Sequence, residues 1–396
     1  MTATHSEPLW TRAFVLLCVV QFLGYAQHFV LQPTIPIYVT QLGASPFVVG
    51  LVMACFAATS MVLRPLVGYW SDHWSEAGVM ISGLLIQSAS VLLCFVPVVG
   101  TTMLANVCRG IGWASVNSGG YALLAQCAPA ARRGEASGYY SGAQGSATII
   151  LPALALWLAW MIVAPCGGFH VVFAVSMTIA LIGAGIGLGL KGGLNSGIKI
   201  RHRAVAGPWW REIFTLPEKD ILLASGLLFA LQISLPAVAG FLVLYARQIG
   251  IENFGWYYII SGATSLIARP SLGWASDKIG RGAAIAVGLS LEAVALCVVV
   301  NAATLSGMLV SGVLYMTGSA IGTAATLALA LEHAHPERRG QVIATYSMAY
   351  PLSAGVGSLL SGSAIQLAGY YWMFLFTAAL NIPGLVVTFK NWSRLK

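Results

Sequence analysis

The chain contains a long internal repeat. Residues 64–72 and 269–277 both read R-P-x-x-G-x-x-S-D, and the second copy begins 205 residues after the first. Two shorter matches keep this register at spacings of 206 and 207 residues, and they lie at 132–134 and 338–340 and at 38–43 and 245–250. Three matches in one register indicate a duplicated unit, which is typical of membrane proteins built from two related helical bundles.

The composition places both copies in a membrane. Of the 396 residues, 58% are hydrophobic and only 8% are charged, whereas soluble domains carry about 25% charged residues. The apolar run that follows residues 1–10 is too long for a signal-peptide core, so we expect the first helix to be retained. Windows of about 20 apolar residues predict twelve membrane spans. These spans lie at 11–38, 46–70, 78–99, 102–126, 135–158, 168–190, 220–244, 253–275, 282–302, 306–331, 342–366 and 370–390.

The basic residues predict the orientation of these spans. Of 20 Lys and Arg residues, three lie inside spans or at their ends, and Arg247 alone lies in a loop from an odd-numbered to an even-numbered span. The other 16 lie in the termini and the even-to-odd loops, which the positive-inside rule assigns to the cytoplasm. We therefore expect a multi-pass protein of the cell (inner) membrane with both termini cytoplasmic. The net charge of +8 has this explanation and does not point to nucleic acid.

The longest polar stretch divides the two halves. It covers residues 191–219 and predicts a cytoplasmic linker between an N-terminal bundle at 1–190 and a C-terminal bundle at 220–396. Seven cysteines are scattered through apolar sequence without the spacing of a metal site, and the chain has neither a phosphate-binding loop nor an H-E-x-x-H motif. We therefore expect no enzyme activity, no cofactor and no bound metal.

A short motif connects this architecture with a known family. In the C-terminal half Gly273, Asp277, Lys278, Gly280 and Arg281 follow the pattern G-x-x-x-D-[RK]-x-G-[RK]. This pattern resembles the signature of the major facilitator superfamily in the loop after the second span, and the chain resembles that family over essentially its whole length. The resemblance implies an all-α membrane protein with the major facilitator fold, in which twelve transmembrane helices form two pseudo-symmetric six-helix bundles.

The N-terminal copy of the motif departs from the family pattern. It keeps Gly68 and Asp72, but residues 73–76 read H-W-S-E where basic residues are expected. At the end of span 10, Glu332 is available to pair with Lys278 or Arg281, whereas the equivalent residue on span 4 is Gln126. We therefore expect unequal charge networks in the two halves.

In the family, this network holds the cytoplasmic helix ends together when the transporter faces outward. The resemblance thus implies gating roles for Arg64, Gly68, Asp72, Arg269, Gly273, Asp277, Lys278, Arg281 and Glu332. The alternative is that the charges only orient the loops.

Arg109 begins a glycine-rich stretch of span 4 that resembles another motif of the family, in which an arginine is buried. A charge inside a span costs at least about 2.5 kcal/mol, so Arg109 should face a wet cavity, with its nearest compensating groups on span 1. It would bind an anionic or polar substrate group or respond to a nearby protonation; the alternative is a structural Arg109 satisfied by carbonyl groups. The fifth span departs from the family's drug–proton antiporters, because its proline comes only at Pro152.

Polar residues at helical spacing indicate a central cavity. In the family, spans 1, 4, 7 and 10 line the cavity, and spans 2, 5, 8 and 11 lie beside them. On span 1, Gln21, Tyr25, His28 and Gln32 form one stripe on one face. The candidates on the other spans are Arg109, Trp113, Asn117, Tyr121, Tyr140, Gln144, Gln232, Tyr315, Tyr346 and Tyr350. Each of them alone is also compatible with packing.

Acidic residues are missing where proton-coupled members of the family often carry them. The interiors of spans 1, 4, 5 and 7 contain no Asp or Glu, and the acid nearest the middle of a span is Glu292 on span 9. Glu292 is expected to be protonated or paired at that depth, and it is a structural residue or a coupling residue. The alternative coupling site is His28 together with Arg109, because a histidine titrates near neutral pH.

These observations predict a secondary transporter. The leading interpretation is export of small amphipathic or polar molecules by alternating access, coupled to protons as an antiporter. The alternatives are an uptake symporter or facilitator for a sugar or organic anion, and a transporter-like receptor or scaffold that moves nothing. The expected partners are a small-molecule substrate, protons and the lipid bilayer, with no nucleic acid, and we expect a monomer.

Overall fold

The structure is a computed structural model that describes residues 9–129, 132–161, 167–194, 219–332 and 339–395. Within these ranges every regular element is helical. The six predicted spans of the first half correspond to seven α-helices, because span 2 consists of two. They are α1 Arg12–Gln41, α2 Pro46–Val62, α3 Arg64–His73, α4 Glu76–Val91, α5 Val99–Cys127, α6 Arg133–Met161 and α7 Gly167–Leu194.

The second half follows the same plan with more interruptions. Its helices are α8 Lys219–Gln232, α9 Leu242–Gln248, α10 Gly255–Ile279, α11 Arg281–Asn301, α12 Leu305–Glu332, α13 Arg339–Ser347, α14 Ala349–Ala379 and α15 Asn381–Lys390. The helix α7 continues to Leu194, four residues beyond the predicted end of the first bundle, and most of the predicted linker lies outside the described residues.

Breaks in the spans follow local sequence. The helices α2 and α3 meet at a bend of 43°, immediately before Pro65. The backbone nitrogen of proline carries no hydrogen, so Pro65 cannot donate the hydrogen bond that would continue α2. Span 7 is interrupted after Gln232 and continues through one turn of π-helix at Ala237–Phe241, directly after Pro236. Within α14, Gly369 has φ 83°, a left-handed conformation that glycine adopts without strain. Gly369 thus separates predicted spans 11 and 12.

The described helices account for twelve spans. Eight are long and apolar enough to cross a membrane by length and composition, and the bent pair α2–α3 makes a ninth. The helices α5 and α10 have spanning length but carry more polar residues, as expected of helices beside a polar cavity. One of the eight, Thr345–Lys390, is 46 residues long and divides at Gly369 into two. The structure therefore confirms an all-α membrane protein of two six-helix halves.

Glycine contacts repeat between the halves. A Cβ on Gly83 of α4 would lie 2.8 Å from the Gly112 carbonyl oxygen of α5. In the second half, a Cβ on Gly288 of α11 would lie 2.8 Å from the Gly318 carbonyl oxygen of α12. Gly288 follows Gly83 by 205 residues, and Gly318 follows Gly112 by 206. Spans 3 and 4 therefore cross in the same way as spans 9 and 10. Glycine allows the two backbones to approach closely in each crossing.

Close backbone contacts join the two halves. We call the side that carries Leu9 and Leu395 the terminus side, and the opposite side the far side. A Cβ on Gly50 of α2 would lie 3.3 Å from the Gly362 Cα of α14, and one on Gly262 of α10 would lie 2.7 Å from the Ile149 Cα of α6. The halves therefore meet along α2 with α14 and along α6 with α10.

Candidate functional site

Arg109 is buried in the first half with few compensating groups. Its side chain is 3% exposed. One guanidinium nitrogen donates a hydrogen bond of 2.7 Å to the Asn106 side chain, one turn earlier on α5. Its Nε–H has no acceptor among the described residues. The guanidinium carbon lies 5.3 Å from the ring centre of Phe56 on α2, which is a cation–π distance.

These contacts differ from the prediction that span 1 supplies the nearest compensating groups. Asn106 comes from the same helix and Phe56 from α2. The reason is geometric, because a residue three positions earlier on a helix lies on the same face and within reach of a long side chain.

Five rings form a cluster next to Arg109, which we call the aromatic cluster: Tyr25, His28, Phe29, Phe56 and Trp113. The His28 ring is stacked on Phe56 at 5.0 Å and lies 4.4 Å from Trp113. Its Nδ1 atom is buried and has no hydrogen-bond partner among the described residues. Phe56 therefore contacts both His28 and Arg109, and it connects the two residues that the sequence suggested as a coupling pair.

Tyr25 connects the same cluster to the next turn of α5. Its hydroxyl donates a hydrogen bond of 2.9 Å to the Asn117 side-chain oxygen, and its ring lies 4.6 Å from Trp113. Asn117 in turn donates to the Trp113 carbonyl oxygen at 2.9 Å. The structure thus brings three members of the span 1 and span 4 stripes together, as a cavity requires. Gln32, the last member of the span 1 stripe, is half-buried one turn beyond His28.

A second polar group lies closer to the terminus side. Gln21 is fully buried, and its amide has no hydrogen-bond partner among the described residues. A Cβ on Gly120 would collide with the Tyr140 hydroxyl and lie 2.7 Å from the Gln21 side-chain oxygen, so these three residues are neighbours. Tyr121 reaches the Gln144 side-chain oxygen at 3.5 Å and is 51% exposed.

The second half has its own polar cluster between α8 and α12. Gln232 donates to the Ser319 hydroxyl at 3.4 Å, and the Ser234 and Tyr315 hydroxyls lie 2.9 Å apart. Closer to the terminus side, the Tyr346 hydroxyl lies 2.9 Å from that of Thr326. Tyr350 contacts the Tyr346 ring and is 41% exposed, a fraction similar to that of Tyr121.

Glu292 lies behind this second cluster. Its side chain is 0% exposed, and neither carboxyl oxygen makes a hydrogen bond to a described residue. The Ser319 hydroxyl lies beside the carboxyl group, and Tyr315 lies on the same side. The structure thus places Glu292 against α12, in the polar cluster of the second half.

The candidate gating residues form an ion pair in the second half. Arg281 donates to the Glu332 carboxylate at 2.7 Å and 3.1 Å, at the terminus-side ends of α11 and α12. It also donates to the Ser276 hydroxyl at 3.3 Å. In the first half, Gln126 donates to the Glu76 carboxylate at 2.6 Å.

The remaining gating candidates are described in part. Arg64 donates a hydrogen bond of 2.9 Å to the Ser347 hydroxyl, and this contact joins α3 of the first half to α13 of the second. Gly68 has open space around it, and Lys278 is exposed. Four side-chain positions lie outside what the structure describes, namely those of Asp72, Arg269, Gly273 and Asp277.

Sequence reasoning missed three residues of these clusters. Phe56 is one aromatic residue in an apolar helix, and no pattern distinguishes it. Asn106 precedes Arg109 by three positions, and this spacing is a signal that could have identified it. Gln87 is buried at the crossing of α4 and α5. It precedes Glu292 by 205 residues, so the repeat itself could have revealed it.

Comparison with known proteins agrees with this architecture. A family model described as Major Facilitator Superfamily matches residues 17–253 and 221–392. An uncharacterized MFS-type transporter of Methanocaldococcus jannaschii is 23% identical over 98% of this chain and 97% of its own length. Multidrug resistance protein 1 of Bacillus subtilis is 30% identical over 141 residues, which are 35% of this chain and 36% of that protein.

A solved structure has the same fold over nearly the whole chain. It is a bacterial homolog of the human lysosomal transporter Spinster in an inward-facing and unoccupied conformation. It aligns with a TM-score of 0.76 at 14% identity, covering 97% of each chain. Since the family model, the full-length relative and the fold all agree with the duplicated twelve-span architecture, the chain belongs to the Major Facilitator Superfamily of membrane transporters.

Proposed function

We propose that the protein is a secondary active transporter that exports small amphipathic molecules by alternating access in exchange for protons. The observation that carries this proposal is the aromatic cluster beside Arg109. Its rings offer flat apolar surfaces, and the buried Nε–H of Arg109 has no acceptor among the described residues. Such a site suits a molecule with an apolar or aromatic body and one hydrogen-bond acceptor.

The direction of transport is supported by one further observation. The partial match to a protein named for multidrug resistance favours export. Tyr121 and Tyr350 are partly exposed in the terminus-side part of the molecule. If that side is cytoplasmic, as the basic residues predict, a substrate in the cytoplasm can reach them.

We further propose that Arg281 and Glu332 act in gating together with the repeated residues of both R-P-x-x-G-x-x-S-D copies. The ion pair joins the terminus-side ends of α11 and α12, and Arg64 joins α3 to α13 across the two halves. The Arg64 contact lies between the halves, which must separate or approach during alternating access. The Arg281–Glu332 pair lies within the second half and would hold α11 and α12 together as that half moves.

A second candidate function is uptake of an organic anion or a sugar. Among the described polar residues of spans 1, 4 and 7 in the cavity, Arg109 is the charged one, and a cation without a carboxylate partner suits an anion. In this case the protein would work as a symporter or facilitator. The aromatic cluster would then bind the apolar part of the anion.

The experiment uses the purified protein in liposomes with imposed pH gradients of either sign. Three amphipathic probes differ in charge: chloramphenicol is neutral, ethidium is cationic and anilinonaphthalene sulfonate is anionic. Antiport predicts accumulation in liposomes with an acidic interior, and symport predicts accumulation when the exterior is acidic, whichever way the protein is inserted. We expect transport of the neutral or anionic probe with an acidic interior, and none by protein-free liposomes or by Arg109→Ala protein. Absence of flux for every probe under both gradients would favour the receptor interpretation.

A further inference from the structure

Glu292 has an environment that an ionised carboxylate does not tolerate. It lies eleven residues into α11, about 16 Å from the start of the helix and near the middle of the membrane. Its side chain is 0% exposed, and its two oxygens make no hydrogen bond within the described part of the chain. A buried charge without a partner is strongly unfavourable, whereas a neutral carboxyl group is tolerated.

Among the described side chains, no cation pairs with the Glu292 carboxyl group. The helices packed against α11 are α8, α10, α12, α14 and α15. Of their acidic and basic residues, Lys278, Glu332 and Lys390 lie at terminus-side helix ends, and α14 contains none. The side chains of the others, Lys219, Asp220, Arg269 and Asp277, lie outside what the structure describes. On α11 itself the nearest charge is Arg281, eleven residues away and paired with Glu332. The phenol of Tyr315 lies near Glu292, and that of Tyr257 lies near Tyr315.

A chain of polar side chains connects Glu292 to span 7. The Ser319 hydroxyl lies beside its carboxyl group, and Gln232 of α8 donates to that hydroxyl at 3.4 Å. Tyr315 of α12 and Ser234, in the turn that follows α8, form a second connection at 2.9 Å. Although span 9 is peripheral in this family, Glu292 thus reaches span 7 through Ser319.

The residue equivalent to Glu292 in the first half shows which side chain this helix crossing accepts. Gln87 of α4 precedes Glu292 by 205 residues and lies at the equivalent crossing, where a Cβ on Gly112 would lie 2.6 Å from its Cγ. Gln87 is 1% exposed, so the crossing accepts a neutral amide of the same size. The acidity of Glu292 is therefore not needed to pack α11 against α12.

We propose that Glu292 is a proton-binding site of the second half. The carboxyl group carries the proton in the conformation described. When α8 and α12 separate, water reaches Ser319 and Gln232, and the proton leaves the Glu292 oxygen for that water. This step rests on the proton coupling of the proposed function, but proton binding by Glu292 is measurable without any substrate.

The first test is infrared spectroscopy of the full chain in lipid nanodiscs, titrated with protons alone. The wild type should show a protonated-carboxyl C=O band that persists at neutral pH, where exposed carboxyl groups are ionised. The band should be lost in Glu292→Gln, which should fold because Gln87 occupies the equivalent position, and a thermal unfolding curve checks this. Glu332→Gln, which removes an exposed carboxylate, should keep the band.

Two results would overturn the proposal. One is a neutral-pH band that is missing in the wild type or unchanged in Glu292→Gln. The other is a band that disappears on addition of Na⁺ but not of K⁺, which would make the site a sodium site.

The second test uses chloramphenicol in liposomes. Glu292→Gln should retain exchange of labelled for unlabelled probe and lose the accumulation driven by an acidic interior. Retained accumulation would overturn a coupling role even if the infrared band is present. If the wild type itself shows no gradient-driven transport of any probe, the export proposal fails while the infrared result still decides whether Glu292 binds a proton.

Discussion

Gln126 donates a hydrogen bond of 2.6 Å to Glu76 at the terminus-side ends of α5 and α4. The two residues precede Glu332 and Arg281 by 206 and 205 positions. An amide–carboxylate pair therefore stands in the first half where the second half has an ion pair. The duplicated unit keeps the connection between its third and fourth spans, although the charges that form it differ.

The ion pair should make a small and salt-dependent contribution to stability. Glu332→Gln should lower the free energy of unfolding by no more than about 1 kcal/mol, because half of the Glu332 side chain is exposed and water screens the pair. Thermal unfolding at low and high salt measures this effect. The matched variant Gln126→Glu places a second carboxylate beside Glu76, so it should be destabilising at low salt and recover at high salt. Relative to the wild type, both variants should be most destabilised at low salt, and a destabilisation that does not shrink at high salt would contradict the assignment.

Phe56 should affect recognition through Arg109. Phe56→Leu keeps an apolar side chain but removes the ring beneath the guanidinium group, a contact of about 0.5–2 kcal/mol. We expect weaker substrate binding, by about 2-fold to 30-fold since 1.4 kcal/mol corresponds to tenfold. Arg109→Ala should abolish transport, and Arg109→Lys should retain part of it only where a point charge suffices. Transport rates measured over a range of substrate concentrations would test this prediction. Phe29→Leu, on the far edge of the aromatic cluster, is the control.

His28 should contribute to binding and not to coupling. It is stacked between Phe56 and Trp113 and has no carboxylate within the described surroundings. We therefore expect His28→Gln to weaken substrate binding while transport still depends on the pH gradient. Exchange and gradient-driven uptake, measured side by side, separate the two roles. Loss of the gradient dependence alone would show that His28, and not Glu292, carries the proton.

The glycine at the crossing of α11 and α12 should be intolerant of a methyl group. A Cβ on Gly318 would lie 2.7 Å from the Gly288 carbonyl oxygen, which is a backbone atom that cannot move without shifting the helix. Gly318→Ala should therefore be destabilising by about 1–3 kcal/mol. Gly189→Ala on α7 is the control, because no atom lies within 4 Å of its Cβ position, and it should be neutral or stabilising by up to about 1 kcal/mol. Equal unfolding temperatures for both variants would contradict the packing argument.

The spans were predictable because each depends on local sequence properties, such as the length of an apolar segment. Apolar length predicts that a segment crosses the membrane, and Gly369 separates spans 11 and 12 within a continuous helical run. The stripe on span 1 likewise follows from helical period, and the structure brings Tyr25 to Asn117 as two cavity-lining spans require. These features need no knowledge of which helices are neighbours.

The contacts of the site were less predictable because they join helices far apart in sequence. The position of Phe56 between His28 and Arg109 depends on the angle at which α2 crosses α5. The link from Glu292 to Gln232 depends on the packing of three helices. The repeat offers partial help, since it predicts that Gln87 and Glu292 share an environment once either one is known.

The far-side connections are short throughout the described chain. Their length limits the access of proteases and antibodies from that side. They comprise residues 42–45, 96–98, 249–254 and 302–304, and Gly369 makes the last turn alone. A protease needs several residues of extended chain in its cleft, and an antibody raised against a loop needs a peptide that stands clear of the bilayer. If the far side faces outward, as the basic residues predict, shaving intact cells with protease should spare these described connections, and epitope tags for topology mapping are best tolerated in the six-residue connection at 249–254.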